Sequence, residues 1–99
     1  MAAITIGYLE MQIYLPGCES LKEKRSRIKP LLTRLHREFN ISAAELNHQD
    51  IWQSSVIGCT LLSNNSVYTQ KTLRKVVSWV EKNWLDVEVV DDHIEIFNS

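Results

Sequence analysis

The sequence predicts an α+β sandwich with the element order β-α-β-β-α-β. Three observations carry that prediction. Ile4–Leu15 alternates apolar and polar residues with a period of two. Ser20–Phe39 and Val67–Trp84 carry apolar residues at helical spacing. Short runs of strand-forming residues lie between and after those helices, at Ile41–Leu46, Ser54–Leu62 and Val87–Phe97.

Each element follows from its residues. In the first strand Leu9, Met11, Ile13 and Leu15 share one face, and Tyr8, Glu10, Gln12 and Tyr14 share the other. Pro16-Gly17 ends the strand. Ser20-Leu21-Lys22-Glu23 is a capping box that starts the first helix at Ser20. Its apolar stripe is Leu21, Ile28, Leu31, Leu32, Leu35 and Phe39, and Pro30 is expected to kink it. Residues 47–53 connect the second and third strands. Ser63-Asn64-Asn65-Ser66 is a turn into the second helix, whose stripe is Leu73, Val76, Val77, Val80 and Trp84. Val87–Val90 and Ile94–Phe97 form one bent strand or two short ones around Asp91-Asp92. One antiparallel sheet with both helices on one face satisfies the connections and the stripes. That is a ferredoxin-like βαββαβ sandwich, with residues 1–99 as a single domain. In this arrangement the helices are expected to follow parallel central strands and lie side by side.

Composition narrows the function. An apolar fraction of 44% is enough to build a core, so disorder is not expected. No apolar run reaches the roughly 20 residues of a membrane span. The N-terminus lacks a basic region and a cleavage site, so a cytoplasmic protein is expected. Cys18 and Cys59 form no CxxC pair, which leaves zinc and thioredoxin-like chemistry without support. The net charge of −1 argues against bulk wrapping of nucleic acid, but not against a local basic patch.

The charge is segregated. Lys22, Lys24, Arg25, Arg27, Lys29, Arg34 and Arg37 belong to the first helix, and Lys71, Arg74, Lys75 and Lys82 to the second. Asp86–Glu95 holds five carboxylates and no Lys or Arg. Glu23–Arg27 and Arg34–Glu38 are i,i+4 pairs that account for both arginines. Lys22, Lys29 and Arg37 fall on a separate stripe with Ser26 and Thr33. Lys22, Lys24 and Arg25 occupy the first turns, where the helix dipole disfavours cations by about 0.3–1 kcal/mol each. A basic cluster at that end suits phosphate, although a solvated face would look the same.

Pro16-Gly17-Cys18-Glu19-Ser20-Leu21-Lys22-Glu23-Lys24-Arg25 resembles the PGxxSLKEKR motif of the YlxP-like family of small bacterial proteins of unknown function. Ala44-Glu45-Leu46-Asn47-His48-Gln49-Asp50-Ile51-Trp52-Gln53 is similar to that family's AEVDHQDLWQ segment. Spacing and length agree over nearly the whole chain. Asn47 stands where the family usually has an acid, and Cys18 occupies a variable position. The resemblance implies a ferredoxin-like fold and, from the translation factors that neighbour the family's genes, a translation or ribosome-linked role. It implies no catalytic residues.

Other constellations are weaker. The third strand has no aromatic residue and no RNP1-like pattern, so RNA contact is expected through the helices rather than by stacking on the sheet. The acylphosphatase phosphate loop is absent. His48 and Asp50, with Gln49 and Trp52 nearby, form a possible functional loop, but two ligands are too few for a metal and no nucleophile accompanies them. A polar turn that bonds its own backbone explains them better. His36 and His93 read as single surface histidines. Ile4, Ile6, Tyr8 and Tyr14 point to the sheet face that the helices leave open.

The sequence therefore points to a non-enzymatic binding protein without cofactor or metal. RNA or a ribonucleoprotein is expected to contact Lys22, Lys24, Arg25, Lys29 and Arg37. A dimeric protein–protein adaptor using the open sheet face is the alternative. A hydrolase centred on His48 and Asp50 ranks third.

Overall fold

A computed structural model describes residues 3–47 and 51–99. Its elements are β1 (Thr5–Tyr14), α1 (Leu21–Glu38), β2 (Ser42–Asn47), β3 (Ser54–Ser63), α2 (Ser66–Asn83) and β4 (Glu88–Asn98). The sheet order is β2-β3-β1-β4 and every pairing is antiparallel. This is the expected ferredoxin-like βαββαβ arrangement.

Alternation along β1 sends Leu9, Met11 and Ile13 inward, all fully buried. They join one cluster with Ile28, Leu31 and Leu35 of α1 and Leu73, Val76, Val77 and Val80 of α2. Both helices thus cover the same side of the sheet. Leu32 packs on the rim of that cluster.

One expectation fails. The central strands β1 and β3 are antiparallel, pairing Thr5 with Ser63 and Tyr14 with Ser54. Each helix starts where its strand ends, so the two helix N-termini lie at opposite ends of the sheet. The helices run antiparallel, with Arg27 of α1 against Asp86 just beyond α2 and Phe39 against Trp79.

Local signals explain the boundaries. Ser20 Oγ accepts from the Glu23 N–H at 3.0 Å and caps α1. Asn65 Oδ1 accepts from the Tyr68 N–H at 2.9 Å and caps α2. Gly17, at φ 71°, supplies the left-handed residue of the β1–α1 turn. Helix α1 continues through Pro30 to Glu38, with the proline exposed. The C-terminal residues form one strand, and its register against β1 slips between Gln12 and Ile13. Val89 faces Ile13 and Asp91 faces Gln12, so Val90 is the extra residue of a β-bulge.

Candidate nucleic-acid interface

The basic residues of α1 separate into two sets. Lys24 belongs to the first, and here the sequence expectation is corrected. Its side chain is 1% exposed and offers no surface to a phosphate. Spacing explains the burial, because Lys24, Ile28, Leu31 and Leu35 lie on one helical stripe. The ammonium lies 3.0 Å from Glu45 Oε2 of β2 and donates to the Ile51 carbonyl at 2.8 Å. Ser55 Oγ donates to the same carboxylate oxygen at 2.5 Å. A buried ammonium needs such partners, since its desolvation cost is otherwise several kcal/mol.

Arg27 and Arg34 are also engaged. Arg27 donates to the Pro16 carbonyl at 2.9 Å and to the Asp86 carbonyl, and it pairs with the Glu23 and Asp86 carboxylates. It ties α1 to the loops before and after the helical layer. Arg34 pairs with Glu38 at 3.1 Å and lies 5.5 Å over the Trp79 ring. The i,i+4 pairs expected from sequence therefore form.

Lys22, Arg25, Lys29 and Arg37 make up the second set. All four are exposed, and among the described residues none is paired with a carboxylate. At 100° per residue they span an arc of about 120°, opposite the buried stripe of Ile28, Leu31 and Leu35. The result is a cationic ridge along the outer face of α1.

The β2–β3 connection is only partly described. His48, Gln49 and Asp50 lie outside the described residues. Trp52 is 45% exposed. On either side, the two segments that carry the family resemblance meet. Lys24 reaches Glu45 and Ile51, Gln53 Nε2 donates to the Cys18 carbonyl at 2.9 Å, and the Leu15 N–H donates to the Gln53 carbonyl at 2.8 Å. These contacts give the spacing of the two segments a structural role.

The histidines have partners that the sequence did not disclose. His36 Nε2 accepts from the Ala43 N–H at 3.0 Å, covering the edge strand β2. His93 Nε2 lies 2.8 Å from Glu95 Oε1. Cys18 and Cys59 are both buried free thiols, and burial pushes the Cys59 thiol up to about 12. Neither is placed as a nucleophile. Among the described residues no group of three or more His, Cys, Asp or Glu gathers around a common point. No described helix is long and apolar enough to cross a membrane.

The open sheet face has two ends. Cross-strand pairing aligns Leu62, Ile6 and Phe97 in one row, with exposures of 70, 44 and 52%. Glu10, Gln12, Asp91 and His93 gather at the other end. Tyr8 stands between them, its hydroxyl pushed up by burial and then by the Glu10 carboxylate.

A ferredoxin-like α+β protein with a cationic helix ridge and a half-apolar open sheet is the class these features define. The chain belongs to the family described as "Protein of unknown function (DUF503)", whose model matches residues 6–94. It is 37% identical over 76 residues to the uncharacterized protein YlxP of Bacillus subtilis (strain 168), covering 77% of this chain and 83% of that protein. Among solved structures it is similar to the de novo designed protein Foldit4, at TM-score 0.48 and 10% identity, covering 97% and 96% of the two chains. A mutant form of SnoaB, a cofactor-independent oxygenase from Streptomyces nogalater, is also similar, at TM-score 0.48 and 10% identity with coverage of 96% and 92%.

Proposed function

We propose that this protein is a cytoplasmic, non-enzymatic factor that binds structured RNA or a ribonucleoprotein through the outer face of α1, in a translation or ribosome-maturation context. One observation carries the reading. The buried and engaged cations, Lys24, Arg27 and Arg34, have structural work, whereas Lys22, Arg25, Lys29 and Arg37 pair with no carboxylate among the described residues and share one face. Lys22 and Arg25 also sit in the first two turns, where the dipole opposes cations and welcomes phosphate. Lys22 and Lys29 are two turns apart, about 10.5 Å along the axis. That spacing lets one helix touch more than one phosphate.

Binding to structured RNA is expected to weaken as salt rises. Two or three phosphate contacts give a log–log slope of about −2 to −3. Changing Lys22 and Lys29 together to Ala should flatten the slope by about one to two units and leave the fold intact, because both side chains are exposed. The check is a titration of both proteins against ribosomal RNA fragments at several salt concentrations. No binding at low salt, or identical slopes, would refute the reading.

A second reading rests on the open sheet face. The row Leu62–Ile6–Phe97 leaves large apolar side chains in water, and a second copy covering it would remove them. Self-association at micromolar concentration is the expected outcome of sedimentation. A sharp 11.5 kDa species throughout would exclude this adaptor role.

A further inference from the structure

Where the C-terminal halves of α1 and α2 pass each other, the structure holds a shallow groove of about 310 Å³. Trp79 and Phe39 form its apolar wall, edge to face at 6.3 Å, and Trp84 stacks behind Trp79 at 6.1 Å. Lys75 and Lys82 line the α2 side. From α1, the Arg34 guanidinium lies over the Trp79 ring at 5.5 Å while Glu38 holds it at 3.1 Å. The Arg34 side chain remains 44% exposed. A planar cation thus stands on Trp79, the aromatic residue that also walls the groove lined by two exposed lysines. Glu38 is the acid in this group, and Arg34 offsets it.

We propose that one unpaired RNA base is laid on the Arg34 guanidinium that Trp79 supports, with its flanking phosphates at Lys75 and Lys82 of the adjoining groove. The inference rests on the RNA reading of α1 and extends it from phosphate contact to a base-sized site. Three features favour a nucleotide over an acidic peptide. A guanidinium plane and an aromatic wall match the π-face of a base, which splayed-out RNA nucleotides offer. The lysines are compact charges suited to phosphate. Arg34 of α1 and Lys75 and Lys82 of α2 also bring cations of both helices to this place, so one RNA can engage both.

The test compares two RNA hairpins with the same stem, one fully paired and one with a single bulged adenine. The full-length protein should bind the bulged hairpin about tenfold more tightly, the value of one stacked base. Trp79→Leu should abolish that preference and keep the affinity for the paired stem within about twofold. Should Trp79→Leu lower the melting temperature, Arg34→Lys serves instead, because it keeps the charge and loses the plane. Lys75→Ala with Lys82→Ala should flatten the salt slope for the bulged hairpin by about one to two units. Equal affinity of the wild type for both hairpins overturns the proposal, as does a preference that survives Trp79→Leu or Arg34→Lys. Displacement of the bulged hairpin by polyglutamate at equal charge concentration would assign the groove to acidic peptide instead. Salt-dependent binding of both hairpins without preference defeats this inference alone. Failure of both to bind at low salt defeats the α1 reading and this one with it.

Discussion

Replacing Lys24 by Met is expected to destabilise the protein by about 3 kcal/mol. Methionine keeps most of the apolar stem but removes the ammonium. Glu45 then loses its partner at 3.0 Å and keeps the Ser55 hydroxyl, while the Ile51 carbonyl loses its donor. Removing one member of a buried pair costs about 3–5 kcal/mol, chiefly because the other charge stays behind. Glu45 retains 19% side-chain exposure, so water relieves part of the loss and the lower end applies. At this chain length, about 3 kcal/mol lowers the melting temperature by roughly 12–25 °C. Adding Glu45→Gln should restore much of the stability, since no uncompensated charge remains. Urea unfolding of the two single mutants and the double mutant checks this. A Lys24→Met protein within about 1 kcal/mol of wild type would mean that the pair does not hold α1 to the β2–β3 connection.

Gly7→Ala is the second large effect, with an expected cost of about 1–3 kcal/mol. Gly7 faces α2 from β1. A methyl group there would collide with Thr69 Cγ2 and come within 2.8 Å of Leu73 Cδ1. Both residues are fully buried, and Thr69 is held by Ser63 Oγ at 2.6 Å. Neither can move aside without shifting the helix. Gly58→Ala is the control. Its methyl would meet Leu46 Cδ1 and lie 3.0 Å from Leu46 Cγ, but Leu46 is half exposed and can swing into solvent. That change should fall within about 0.5 kcal/mol of wild type. Thermal melts of the two variants decide the contrast. Equal losses would mean that α2 does not press on the sheet at Gly7.

Much of the fold is legible in the residues because each element carries its own period. Leu9, Met11 and Ile13 declare their face by alternation, and Ser20 declares the start of α1 by chemistry. The last strand is less legible because a bulge breaks its alternation. Val89, Asp92, Ile94 and Ile96 are its partly buried positions, and the three-residue step from Val89 to Asp92 is the trace of Val90. Helix direction is not legible from either βα unit alone. Sheet order, set by the β2–β3 hairpin inserting β3 beside β1, makes the central strands antiparallel.

The candidate site divides in the same way. Exposure of Lys22, Arg25, Lys29 and Arg37 follows from the helical wheel. Burial of Lys24 follows from it too, since position 24 precedes Ile28 by one turn; charge conceals what spacing discloses. Its partner Glu45 needs the third dimension, because nothing in β2 alone says that its carboxylate faces an ammonium. The Arg34–Trp79 contact is likewise a property of two helices passing each other. Trp79 off the α2 stripe is the one local sign of it.

The central claim is that the outer face of α1, and not the open sheet, is the working surface. Mapping amide and indole chemical shifts during titration with a structured RNA tests it most directly. The account predicts that the largest changes fall on Lys22, Arg25, Lys29 and Arg37, with the Trp79 indole moving when the RNA carries an unpaired base. Changes confined to Ile6, Tyr8, Leu62 and Phe97 on the open sheet, or no changes at low salt, would contradict it.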